Sequence, residues 1–303
     1  MNKYLFIMIM ALVPSLLMAQ TAGGQITRKR TSTTTTVKKT QSSVASKKTD
    51  SGKKSATQGT PSRKASMGMN QSPQDRIIQN LINNMVYVAG GTFTMGATTE
   101  QGSDADSDEK PAHRVTLSSF SIGKYEVTQE EWQAVMGSNP SRFKGAKRPV
   151  ENVSWNDCQE FIRKLNQLTG RQFRLPTEAE REYAARGGNK SLDYKYAGSS
   201  NLGIVAWYDD NSNSQTHDVG QKQPNDLGLY DMSGNVWEWC QDWYDRNYYS
   251  SLPQTNPMGP SSGSFRVYRG GSWAISAKYC SVSHRCNDLP DSRCDNLGLR
   301  LAY

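Results

Sequence analysis

The stretch from Tyr230 to Trp243 reads YDMSGNVWEWCQDW. Three tryptophans, Trp237, Trp239 and Trp243, fall within seven residues. That is too much aromatic surface to leave in water, so the run marks a packed centre. The Gly234-Asn235 step just ahead of them forces a tight bend. Asp231 and Glu238 flank it, and carboxylates beside free carbonyls suit a hard cation such as calcium.

Working outward, the sequence predicts a short helix opening the folded part, with Ser72 as cap and Pro73 in the first turn. Val86 to Val88 and Thr92 to Met95 read as strands around the Gly90-Gly91 turn, and Val115 to Ile122 as another strand. Residues 97–112 carry Asp104, Asp106, Asp108 and Glu109. They lack the spacing of a calcium-binding EF-hand and are expected to be a solvated loop. Three helices follow. Thr128 with Glu131 caps the first, Ser154 or Asn156 starts the second, and Thr177 with Glu180 caps the third, which ends near Gly187. From Leu202 onward short apolar runs alternate with glycine turns and polar loops. The expectation is one α+β domain with few regular elements and many ordered loops, held by buried tryptophans and a bound cation.

The N-terminal quarter differs in composition. Lys3 followed by an apolar stretch from Tyr4 to Leu17 and a small-residue exit at Met18-Ala19 reads as a signal peptide over 1–19. Residues 20–76 are rich in Ser, Thr and Lys with no aromatic residue, a composition that cannot bury enough apolar surface to offset ordering entropy, and they are read as a disordered tail. The full chain carries 36 basic and 28 acidic residues, a net +8. Setting aside Lys3 and the tail's twelve bases and two acids leaves 23 − 26 = −3 for residues 77–303. The positive charge therefore belongs to the tail, where it fits attraction to an anionic envelope or a solubilising linker, not nucleic acid. Export to the periplasm or cell surface follows. All five cysteines, Cys158, Cys240, Cys280, Cys286 and Cys294, lie in the folded part. An odd number leaves one unpaired within the chain, and Cys286 with Cys294, bracketing Pro290-Asp291, make the best local disulfide candidates.

Three signatures stand in order: GGTFTMG at 90–96, then RLPTEAEREYAARGG at 174–188 with YDMSGNVWEW at 230–239, then RGGSW at 269–273 with NLGLRLA at 296–302. Together they closely resemble the formylglycine-generating enzyme, or sulfatase-modifying factor, domain family over nearly the whole of residues 77–303. The resemblance implies a C-type-lectin-like fold with little regular secondary structure. It also implies one calcium ion, held by Asp231, Glu238 and the carbonyls of Gly234 and Val236. Active members oxidise a sulfatase cysteine to formylglycine with oxygen and copper(I), a soft ion that two thiolates hold well. The two cysteines of that clamp follow the Gly-Gly-Ser motif, here Gly270-Gly271-Ser272. The second position is met by Cys280, with Ser272 near the oxidising site, but the first is filled by Ile275. Isoleucine offers no ligand, so the resemblance implies the scaffold without the usual copper oxidase chemistry.

Other chemistries find no support in the sequence. His113, His217 and His284 are the three histidines, and none falls at a metalloprotease spacing; no nucleophile elbow, phosphate loop or dinucleotide fingerprint is present. Glu178, Glu180 and Glu182 are read as helix-start residues complementing the dipole. The sequence thus predicts an exported binding or scaffold domain for a protein, peptide or envelope glycan. An oxidase acting on a sulfatase polypeptide through Cys280 and Ser272, and a component of a secretion or surface assembly, are the alternatives.

Overall fold

A computed structural model describes residues 72–250 and 254–303. The signal peptide and nearly all of the basic tail lie outside the described residues. The domain begins earlier than residue 77, because helix α1 spans Pro73–Asn83. Ser72 and Asp75 cap it reciprocally, and Pro73 spends its missing N–H where no bond was due.

Strand β1 (Met85–Val88) pairs antiparallel with β4 (Phe120–Gly123), and β2 (Gly91–Met95) with β3 (His113–Leu117). The single strand expected over Val115 to Ile122 is therefore two. The chain breaks after Leu117 because its two halves serve different sheets, so each half faces a different partner. Helices α2 (Gln129–Met136), α3 (Trp155–Thr169) and α4 (Glu178–Ala185) start at the capping boxes of Thr128, Ser154 and Thr177. Gly137 and Gly170 stop α2 and α3 in the left-handed conformation that glycine adopts without strain. A four-residue turn of helix, α5 (Leu202–Val205), follows.

The second half is loop-rich, as expected. Its strands are β5 (Trp237–Trp243), β6 (Gln254–Thr255), β7 (Arg266–Arg269), β8 (Arg285–Asp288) and β9 (Leu297–Leu299). The tryptophan-rich β5 is central in a four-stranded sheet of order β8-β7-β5-β9, antiparallel to β7 and parallel to β9. β6 instead pairs with β3.

One apolar core joins Trp237 and Trp239 to α2, α3 and β9, with Trp132 stacked on Phe161 at 4.9 Å between ring centres. A second lies under α4 and the N-terminal strands. A third, smaller cluster gathers Tyr196, Leu202, Val205, Ala206 and Cys280. Fully burying one large side chain contributes roughly 1.5–3 kcal/mol, so these clusters hold loops that have few ladder bonds of their own.

Candidate functional site

The bend before β5 is built by backbone conformations few residues tolerate. Gly234 sits at φ +81°, and a Cβ there would lie 2.3 Å from the Trp207 carbonyl oxygen. Asn235, at φ +59°, anchors three loops at once. Its backbone N–H donates to the Trp207 carbonyl, its carbonyl accepts from Trp273 N–H (both 2.8 Å), and its side-chain amide donates to Glu126 at 2.7 Å. Gly234 N–H donates to the Gly270 carbonyl at 2.8 Å, so the bend is tied directly to the Gly270-Gly271-Ser272 motif.

Glu238 does not point at a cation cradle. Its carboxylate is fully buried and accepts from Arg181 Nε at 3.0 Å and from Arg300 Nη2 at 2.8 Å, with Arg300 Nε at 3.1 Å from each oxygen. Burial pushes its pKa up, but Arg181 and Arg300 outweigh that and hold it below the usual range. Asp231 keeps one oxygen for Gly220 N–H at 2.7 Å and has the other buried without a partner. Burial, with Glu238 adding to it, raises its pKa to about 6. Both oxygens of nearby Glu126 are committed to Asn235 and to Val236 N–H. The expected calcium set of Asp231, Gly234, Val236 and Glu238 therefore does not fit this geometry. A dication beside Glu238 would face two guanidinium charges with little water between them.

The copper expectation meets a similar obstacle. Cys280 closes the 3-10 turn Ala277–Cys280 with its thiol fully buried in the third apolar cluster, against which Ile275 packs. A Cβ on Gly271 would lie 2.4 Å from Cys280 Sγ, so that glycine, at φ +79°, is what lets the thiol sit there. Burial pushes the Cys280 thiol up to about 12, and with Ile275 beside it the cluster offers one sulfur where copper(I) is held by two. Ser272, also fully buried, accepts from Asn296 Nδ2 at 3.2 Å. Cys286 does not substitute as a second thiolate: it packs with the first core and donates to the Tyr268 hydroxyl at 3.1 Å. The expected Cys286–Cys294 disulfide is not formed. Cys286 sits opposite Tyr268 in the β7–β8 register, and all five cysteines are free.

Sequence reasoning missed the ionic core. Glu178 and Glu182 are no surface dipole partners. Glu178 binds Arg285 through Nε at 2.6 Å and Nη2 at 2.9 Å, and Glu182 binds Arg269 and Arg186 Nε, the latter at 2.9 Å. Glu180 alone keeps the expected role, capping Thr177 and pairing with the half-exposed Arg174. The sequence shows only that Glu178 and Glu182 stand one turn apart on one helix face; that the helix is buried along its whole length is seen in the structure. The loop at 97–112 is likewise stitched down: Tyr244 donates to Asp108, Lys195 to Asp104, and Ser283 to the buried Glu109.

Around this frame the segment from Trp273 to Asn296 reaches the surface at both ends, with residues 280–285 buried between them. Trp273 packs edge-on against Phe143, and Arg142 lies over Phe143 and pairs with Asp295. Ile275, Tyr279 and Cys286 are partly exposed over the first core, with Ala274, Ser276, Leu289 and Arg293 open to solvent.

A loop-dominated α+β domain, its tryptophan-rich strand pinned by buried Glu–Arg pairs and its Gly-Gly-Ser motif folded over a buried thiol, has the sulfatase-modifying factor variant of the C-type-lectin-like fold. The chain belongs to the sulfatase-modifying factor enzyme 1-like domain family, whose model matches residues 71–303. It is 36% identical over 252 residues to "Chaperone protein LppX" of Paenibacillus barcinonensis, covering 67% of this chain and 82% of that one. It is 31% identical over 283 residues to the formylglycine-generating enzyme of Streptomyces coelicolor, covering 72% and 88%. Among solved structures it is similar to Treponema denticola variable protein 1, with TM-score 0.66, 39% identity and coverage of 72% of this chain and 94% of that one. PvdO from Pseudomonas aeruginosa gives TM-score 0.63, 28% identity and coverage of 72% and 93%.

Proposed function

We propose that this chain is an exported binding member of its family: a domain that engages a protein or peptide through the Trp273–Asn296 surface and does not carry out copper-dependent formylglycine formation. The observation that carries this reading is the pairing of Ile275 with Cys280. Where a copper clamp needs two accessible thiolates, this chain has an alkyl group and a single, fully buried thiol. The partly exposed aromatic and aliphatic side chains of the same segment, Trp273, Ile275, Tyr279 and Leu289, are the residue types that anchor protein interfaces. A relative named as a chaperone and another named as a formylglycine-generating enzyme both fit a polypeptide ligand. The basic tail would hold such a domain near an anionic envelope.

The test is direct. Reduced, copper(I)-loaded protein incubated in air with a Cys-x-Pro-x-Arg peptide leaves the peptide cysteine unchanged by mass spectrometry. Conversion of that cysteine, abolished in Cys280→Ser, would establish the oxidase instead.

A further inference from the structure

The acidic loop between β2 and β3 carries two carboxylates to a buried histidine within the Trp273–Asn296 segment. Asp106 and Glu109 bracket the 3-10 turn Ser107–Glu109, and His284 stands just ahead of β8. His284 Nδ1 lies 3.6 Å from Asp106 Oδ2 and 3.6 Å from Glu109 Oε1. All three ligand atoms fall within 4.8 Å of one another.

Two facts make this more than a patch of acid. First, the distances are too long for hydrogen bonds, and Nδ1 is buried with no hydrogen-bond partner although the histidine side chain is only 7% exposed. A buried polar nitrogen aimed between two oxygens and hydrogen-bonded to neither is costly as a neutral group, and a cation held by all three would satisfy it. Secondly, the neighbours hold the carboxylates in place. Glu109 Oε2 accepts from Ser283 Oγ at 2.6 Å and Oε1 from Asp106 N–H at 2.9 Å, while Lys278 Nζ binds Asp106 Oδ1 at 3.0 Å. Asp106 Oδ2 and the free side of Glu109 Oε1 are left facing the ring. Donors bonded to one ion at about 2.1 Å stand roughly 3.4 Å apart in a tetrahedron, close to the 3.6 Å from Nδ1 to each oxygen.

We propose that Asp106, Glu109 and His284 form a site for a divalent transition-metal cation of the zinc class. The imidazole nitrogen selects zinc-like ions over magnesium or calcium, and imidazole and carboxylate oxygen are both zinc donors. Three protein ligands leave a fourth position open, on the side of the half-exposed Asp106, for water or a donor atom of a bound partner. The ion would clip the 97–112 loop to the segment that carries Lys278, Tyr279 and Cys286, and so brace the proposed binding surface from behind. The site stands on its own geometry and does not depend on the loss of oxidase chemistry.

The experiment uses the full chain without a histidine tag, stripped with a chelator and titrated calorimetrically with zinc chloride and, separately, magnesium chloride. The site predicts one zinc per chain, no measurable magnesium binding, and at least a tenfold loss of zinc affinity in Asp106→Asn, whose half-exposed side chain can change without disturbing the fold. A Cys286→Ser/Cys294→Ser double variant keeps the zinc. X-ray absorption of the loaded protein shows oxygen and nitrogen neighbours near 2.0 Å and no sulfur. No zinc binding, binding indifferent to Asp106→Asn, or a sulfur shell near 2.3 Å lost in the double variant would each overturn the assignment.

Discussion

Glu238→Gln tests the ionic frame at its centre. The substitution keeps the size and hydrogen-bonding atoms of the side chain but removes its charge. Arg181 then stays buried without its counter-ion, and Arg300 keeps only the weaker pull of Glu126 and Asp231, since both guanidiniums are enclosed. Their other partners, the carbonyls of Met232, Gly123 and Tyr230, are neutral. Breaking a buried pair by removing one partner costs about 3–5 kcal/mol. That is roughly two to nearly four orders of magnitude in the folding equilibrium, and a large share of the roughly 5–15 kcal/mol that holds a domain. The sign with pH follows from the depressed folded pKa of Glu238. Its contribution is fully present above the unfolded value near 4.3 and is lost as pH falls through the lower folded value, so the gap between wild type and variant narrows in acid. Urea unfolding followed by tryptophan fluorescence reads this as a lower midpoint with an unchanged slope. A loss below about 1 kcal/mol at pH 7, the level of an exposed pair, would refute the account of the frame.

Two further outcomes follow from the same geometry. Gly234→Ala, with its Cβ 2.3 Å from a backbone oxygen, costs clearly more than Gly228→Ala, which has φ +78° and open space. The second pays only the left-handed conformation, about 1–2 kcal/mol, and equal losses in denaturant melts would contradict the close approach. Asp242 is fully buried, and burial, reinforced by Glu178, pushes its pKa up to about 8. The unfolded chain releases that proton first, so wild type loses stability as pH rises from about 4 to 8. Asp242→Asn, whose side-chain oxygen still accepts from Glu178 N–H, gains relative to wild type across that window. A stability difference flat with pH would rule this out.

What the sequence made legible was local. Ser72, Thr128, Ser154 and Thr177 announced helix starts because a cap and its partner three residues on satisfy each other within one turn. The density of tryptophan placed β5 at the centre, and the order of three motifs named the family. What stayed hidden depended on contacts distant in sequence. Glu109 looked like solvated acid until Ser283, 174 positions on, came to meet it. Glu182 looked like a helix-start charge until Arg269 arrived from β7. Glu238 sits in the motif from which the family resemblance implied a calcium ligand, and only the positions of Arg181 and Arg300 showed which charges it pairs with. The split between β3 and β4 escaped for the same reason, since a break in strand pairing leaves no trace in an apolar run.

Copper(I) titration of the reduced chain against a competing chromophoric chelator, beside Cys280→Ser, puts the account to its most direct trial. A single buried thiol facing isoleucine predicts no tight copper that depends on Cys280, with identical curves for the two proteins. One tightly held copper per chain, lost when that single sulfur is replaced, would contradict it.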